Sequence, residues 1–392
     1  MRKLSANYIF DGRGNFLKNA ILILDDDNSV LQLIDTKGNL KEENNLEFYN
    51  GIITPGFINS HCHIELSHLK DSIIQKTKLP TFLQQVLKLK QSDTNKQINA
   101  IKNADELMQR EGIVAVGDIS NTDRSFEIKS KSNIIYHTFL ELVGPDKTTI
   151  DKTIEFATDL KQKANNYKLK NNYVPHATYS VSDKLLKFIT DDAYKTNSII
   201  SIHNQETESE NEMFIEGKGE LLEGLKEINS FYSNFKPTHF NSLPSTLVHL
   251  PKCNKTMMVH NTYTTPKDIC WVNDYTKYAY WCLCPNSNLF IEGKLPNIDD
   301  FIDEKVCLGT DSFASNKTLS IIEEIKTINK NFPNIPLSKL LTWATYNGAE
   351  ALDLHFTLGS FEKTKKPGVN LIENIDFDNM KLKKDSKVRK LL

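Results

Sequence analysis

Ile53-Thr54-Pro55-Gly56-Phe57-Ile58-Asn59-Ser60-His61-Cys62-His63 is the stretch on which the fold turns. Pro55-Gly56 reads as a turn, and the run over 57–62 reads as a strand that leads into His63. A doubly wound nucleotide-binding sheet would carry a glycine-rich phosphate turn near its first strand, and residues 53–57 offer none. Beyond this stretch, apolar runs over 113–118, 134–141, 173–178, 199–203, 256–260, 279–284 and 305–309 bring the count to eight. Amphipathic stretches alternate with them, for example the one that carries Ile98, Ile101, Leu107 and Met108 at helical spacing. Eight such units predict an α/β fold of the (β/α)8 barrel type.

Several of these runs end on a residue capable of chemistry: His63, Asp118, His176, His203, His260 and Asp311. Strand carboxyl ends form the active face of such a barrel, so these residues are expected to converge although far apart in sequence. Before residue 50 the pattern differs. Ala20-Ile21-Leu22-Ile23-Leu24 and Val30-Leu31-Gln32-Leu33-Ile34 suggest a small sheet. After about residue 350, Lys366-Pro367-Gly368-Val369-Asn370-Leu371-Ile372 reads as a turn entering a last strand that pairs with this sheet, and the basic stretch 381–390 reads as a solvated tail.

The 392 residues, 39% hydrophobic and 25% charged, can bury a large core in one big domain with an appendage. A net charge of −2, from 48 basic and 50 acidic residues, provides no overall field to draw the chain to nucleic acid or an anionic membrane. The expected partner is a small molecule. No apolar run approaches the roughly 18 to 20 residues needed to span a bilayer, and Met1-Arg2-Lys3 lacks the apolar continuation of a signal peptide, so a cytoplasmic location is expected. Six cysteines without CxxC spacing are read as reduced and mostly buried.

His61 and His63 stand at i and i+2, so on a strand end both imidazoles share one face and can hold a divalent cation while Cys62 points away. The nine residues 55–63 resemble the first-strand signature of the amidohydrolase superfamily. The resemblance covers about 50–350 and implies a TIM barrel over 56–351, with a small β-sandwich domain formed by 1–55 and 352–392. It implies that His61, His63, His203 and Asp311 bind the metal, Asp311 lying in Leu308-Gly309-Thr310-Asp311-Ser312. No lysine ends the fourth run, where relatives with two metals carry a bridging one, so a single divalent ion is expected. Zinc is preferred over iron(II), since imidazole suits both.

The segment Ile202-His203-Asn204-Gln205-Glu206-Thr207 has an HxxE spacing similar to the deaminase subgroup. Glu206 would protonate a ring nitrogen while Asp311 and His260 accept the proton of the attacking water, and collapse of the tetrahedral carbon would expel ammonia. His176 resembles a histidine that contacts substrate. Together with Cys284-Pro285-Asn286-Ser287-Asn288 and Ala314-Ser315-Asn316 it looks like deaminases of adenosine-type compounds, including S-adenosylhomocysteine and aminodeoxyfutalosine. Relatives that accept ribose often carry a glutamate in the helix after the first strand. Residues 79–85 have none, and Gln84 is the candidate substitute for substrate binding.

The 56 residues between His203 and His260 make an unusually long crossover, open to reading as a lid or as a surface helix pair. The same centre could hydrolyse a cyclic amide such as an imidazolone, or a chlorinated heterocycle. An inactive scaffold is the remaining alternative, and the presence of every proposed ligand speaks against it. The resemblance leaves a homo-oligomer open.

Overall fold

A computed structural model describes residues 1–146 and 148–392 of the chain. The β-branched and aromatic runs of the amino-terminal segment form β1 (Arg2–Phe10), β2 (Phe16–Lys18), β3 (Ile21–Leu24), β4 (Val30–Ile34) and β5 (Leu46–Pro55). One residue, Gly56, separates β5 from β6 (Phe57–Cys62). A β-carbon there would lie 2.3 Å from Val114 Cγ1 and 2.7 Å from the Pro367 carbonyl, so only glycine lets the chain pass from one sheet to the next.

The eight runs read from the sequence appear as β6 and then β7 (Ile113–Ser120), β8 (Ile135–Leu142), β9 (Lys170–Pro175), β10 (Ile200–Asn204), β11 (Thr256–His260), β12 (Ala279–Leu283) and β13 (Val306–Leu308). They pair in parallel and in sequence order as two four-stranded sheets, β6 to β9 and β10 to β13. Single parallel bridges join the sheets at both flanks, Ala177 to His203 and Cys62 to Asp311. β6, β10, β11 and β12 are buried at every position, as expected of parallel strands covered on both faces.

Helices fill the crossovers. α1 (Lys78–Leu89) and α2 (Thr94–Arg110) follow β6, α3 (Phe126–Lys131) follows β7, α4 (Ile150–Asn166) follows β8 and α5 (Asp183–Thr196) follows β9. The long crossover after β10 folds as α6 (Glu208–Glu216), α7 (Glu220–Ile228) and α8 (Ser242–Leu247), and α9 (Pro266–Tyr275), α10 (Pro285–Ile291) and α11 (Ile321–Asn331) follow β11, β12 and β13 in turn. Met213, Phe214, Leu221, Leu222, Leu225 and Tyr232 of the long crossover pack on Leu79 and Phe82 of α1, so the segment has a hydrophobic seat of its own.

The chain then returns to its start. β14 (Val369–Asp376) pairs antiparallel with β5, and β15 (Lys381–Lys390) pairs with β14, giving a seven-stranded sheet ordered β15-β14-β5-β1-β3-β4 with β2 on β1. The stretch 381–390, read from its charge as a solvated tail, is therefore an edge strand. Its lysines suit an edge, where positive charge discourages pairing with another chain. Among the described residues, no helix is long and apolar enough to cross a membrane. All six cysteines are free, and Cys62, Cys282, Cys284 and Cys307 are buried.

Candidate active site

The strand ends of both parallel sheets meet at a cavity of about 870 Å³, whose lining includes His63, His176, His203, Glu206, His260 and Asp311. The Nε2 atom of His63 lies 3.1 Å from that of His61 and 3.2 Å from that of His203. Asp311 Oδ1 stands 3.7 Å from His61 Nε2 and 3.5 Å from His63 Nε2. His203 Nδ1 donates to the His176 carbonyl at 2.7 Å, which fixes the tautomer and leaves Nε2 with a bare lone pair. Burial, reinforced by neighbouring imidazoles, holds His61 well below the ordinary histidine pKa, and burial takes His63 down to about 3. Neutral imidazole nitrogens turned toward one another repel unless a cation lies among them. His61, His63 and Asp311 form one group of donors, His61, His203 and His260 a second, and His63, His203 and Glu141 a third, each of a kind that a divalent transition metal accepts.

Backbone geometry aims these groups. His260 and Asp311 both adopt left-handed φ values, 74° and 57°, a conformation that costs a non-glycine residue of order 1 to 3 kcal/mol and survives only where neighbours impose it. The Thr310 and Asp311 amides both donate to the His61 carbonyl at 3.0 Å. A β-carbon on Gly309 would lie 2.8 Å from His61 Cβ, so glycine permits this approach. Asp311 Oδ2 accepts from the hydroxyls of Ser287, at 2.8 Å, and Ser315. Asn288 donates to the His260 carbonyl at 3.3 Å, and Asn316 to the Thr310 carbonyl at 2.9 Å. The two sequence motifs around 284–288 and 314–316 thus brace His260 and the aspartate turn.

Glu206 is buried, with Oε1 3.7 Å from His260 Nε2. Burial first, and then the charges of Asp311, Glu292 and Glu210, push its pKa well above the usual carboxyl value. For Asp311 burial acts in the same direction, but His63, His260 and the hydroxyls of Ser315 and Ser287 outweigh it and keep the carboxylate ionised. His176 also lines the cavity, its Nδ1 2.9 Å from Ser180 Oγ, and burial lowers its pKa to about 4.

Gln84 is a correction. Its amide donates to Glu227 at 2.8 Å, and it is absent from the cavity wall. The face of α1 that lines the cavity carries Leu79, Phe82, Leu83 and Val86 at helical spacing, and Gln84 falls outside that series. Asp118, another strand-end residue, faces away as well: it pairs with buried Lys129 and accepts the Ile64 amide at 2.8 Å, anchoring the turn after His63. His249, exposed, lies on a connector.

Sequence reasoning missed Glu210. It looked like one of several acidic loop residues, yet it is buried and accepts the amides of Gln205 and Glu206, both at 3.1 Å. Thr207-Glu208-Ser209-Glu210 has the spacing of a capping box, but Glu210 reaches past Thr207 to the two preceding amides, so the spacing alone does not signal its role. Glu141, buried on the cavity wall at the end of β8, was missed too, because a lone acid inside a strand has no such signature.

A buried cluster of metal-ligating groups at the carboxyl ends of parallel strands defines a hydrolase centre of the metal-dependent type. The sequence matches the amidohydrolase family over residues 52–391, and the chain belongs to that family. Among its relatives is an adenosine deaminase of Helicobacter pylori, 28% identical over 335 residues that cover 83% of this chain and 79% of the relative. An aminodeoxyfutalosine deaminase of a Nitratiruptor species is 26% identical over 336 residues, with the same coverages, 83% and 79%. The structure of Helicobacter pylori aminofutalosine deaminase in complex with methylthio-coformycin superposes with a TM-score of 0.82 at 22% identity, over 97% of this chain and 94% of that one, a likeness of fold.

Proposed function

We propose that this enzyme is a metal-dependent aminohydrolase that replaces the exocyclic amine of an adenosine-type nucleoside or aminopurine with oxygen and releases ammonia. The observation that carries the proposal is Glu206, a buried carboxyl 3.7 Å from His260 in the cavity that contains the imidazole cluster, where burial raises its pKa. Hydrolytic deamination of a heterocycle needs such a proton at the ring nitrogen next to the carbon under attack. The substrate class follows from relatives named for deamination of adenosine and aminodeoxyfutalosine.

His61, His63, His203 and Asp311 would hold one divalent ion, zinc in preference to iron(II), given three imidazoles and a carboxylate. When bound, it supplies a water of lowered pKa, near 7. Asp311 and His260 would take one proton from the attacking water and pass it to the amine as that leaves as ammonia. Glu206 gives its proton to the ring nitrogen, and α1 and the crossover helices line the cavity around the reacting carbon. His176 binds the substrate. The same reading makes the two parallel sheets a closed (β/α)8 barrel over 56–351, with 1–55 and 352–392 as a β-sandwich domain. The single bridges at both flanks of the sheets support it.

The test is release of ammonia by the metal-replete protein from a panel of adenosine derivatives, aminopurines and aminopyrimidines. Ammonia from the purine group is expected. Hydrolysis of an imidazolone or release of chloride from a chlorinated heterocycle, with no ammonia from any amine, would replace the reading.

A further inference from the structure

Among the described residues none hydrogen-bonds to the Glu206 carboxyl, and His260 Nε2 stands 3.7 Å from it. A carboxyl that hands a proton to a substrate has to keep its oxygens free, so its aim must come from the backbone that carries it and from whatever holds that backbone. The backbone here is irregular. Gln205, between the end of β10 and α6, is left-handed with φ 44°, a conformation that a residue with a β-carbon keeps only where neighbours impose it. The Gln205 carbonyl accepts the Tyr263 amide at 3.0 Å, and its side-chain oxygen accepts from Thr264 at 2.6 Å. At Glu206 itself the amide is held by one group, Glu210. Its Oε2 accepts the Glu206 amide and its Oε1 the Gln205 amide, each at 3.1 Å, so a single carboxyl spans both residues.

Glu210 is firmly seated. It lies in the first turn of α6, 1% exposed, and the Ser242 hydroxyl at the start of α8 bonds to it. Met213 and Phe214, also on α6, share an apolar seat with Leu225 and Tyr232, which line the cavity. The Glu206 backbone is thereby tied to the wall that a substrate meets. Capping α6 does not account for the arrangement, because the Thr207 side chain makes no cap bond and Glu210 reaches past it. Nor is a buried acid a neutral way to satisfy two amides: burial raises the Glu210 pKa to about 7 although Ser242 and both amides oppose the rise.

We propose that Glu210 is a positioning residue for the deamination, one that holds Glu206 through the two amides and acts on the rate only by way of Glu206. The inference rests on the deaminase reading above. Its test is a double-mutant cycle of metal-loaded wild type, Glu210→Gln, Glu206→Gln and the double variant, on the panel substrate that releases ammonia fastest, with kcat, KM and metal per chain read for each. Glu210→Gln keeps one acceptor oxygen and turns its own N–H groups toward the other amide. Its kcat should fall about 10- to 100-fold, the effect of misplacing a reacting group by about 1 Å, with KM and metal content unchanged. In the Glu206→Gln background the same substitution should lower kcat by no more than about twofold, because the group it positions is already gone.

The full loss repeated in the Glu206→Gln background would overturn the inference, since Glu210 would then act on something else. So would a loss expressed in KM or metal content with kcat kept, or wild-type kcat in Glu210→Gln. Glu210→Asp, which keeps the charge but is a methylene too short to span both amides, runs the same cycle if Glu210→Gln does not fold. If neither folds, Glu210 belongs to the fold and not to the reaction, and the inference falls. Failure of the underlying reading looks different: no ammonia from the wild type on any substrate, or near-normal turnover in Glu206→Gln, before any Glu210 variant is measured.

Discussion

Two carboxyls of one cavity are driven apart in pKa. Burial and nearby acids push Glu206 up, whereas two imidazoles and two hydroxyls outweigh burial and draw Asp311 down. Opposed environments of this kind are how a site assigns its acid and its base. Glu206→Gln, which cannot donate an acidic proton, should lower turnover at least about a hundredfold with unchanged metal content. Steady-state rates and metal analysis on the same preparation check this, and near-normal turnover would remove Glu206 from the proton path. Gly309→Ala should do the reverse. A methyl 2.8 Å from His61 Cβ and 2.9 Å from its carbonyl must push β6 and β13 apart, at the typical overpacking cost of about 1 to 3 kcal/mol. The variant is expected to bind metal poorly and melt early, and full metal loading at the wild-type melting temperature would contradict it.

At the scale of elements, β8 and β9 carry a histidine whose effect can be followed with pH. His137 is buried, its ring stacked on Phe139 at 4.5 Å and its Nε2 2.7 Å from Asn172 Oδ1. Burial, with the Lys170 charge, lowers its pKa to about 4, against an ordinary value of about 6.5. The folded protein thus binds this proton less readily than the unfolded chain, so the contribution of His137 to stability is complete above about pH 6.5 and is lost as pH falls toward 4. His137→Gln should show a shallower fall of melting temperature between pH 6.5 and 4 than the wild type, and identical slopes would contradict the assignment. Elements also show what the sequence could reveal. The eight parallel strands were legible because strands buried on both faces read as continuous apolar runs. β15 was not, since an edge strand has little to bury and its lysines and arginine carry the same signal as a solvated tail.

For the whole molecule, strand-end position grouped His63, His176, His203, His260 and Asp311, which line one cavity, but also Asp118, which does not; the choice of ligands among them came from the family resemblance. Gln84 failed because a helix face depends on the packing of α1 against the long crossover, and the sequence does not fix that packing. The crossover itself, open between lid and surface pair from sequence, packs on α1 and contributes Leu225, Ile228, Asn229 and Tyr232 to the cavity wall. Tyr232 OH donates to the Tyr179 carbonyl at 3.0 Å, which ties that wall to the end of β9. Everything then converges on one centre fed by both sheets. The most direct test of that centre is a titration of the chelated protein with zinc while ammonia release from adenosine is followed. Activity that starts near zero, rises linearly and levels off at one zinc per chain is the predicted result. Ammonia release without metal, or full zinc loading with no ammonia, would contradict the account.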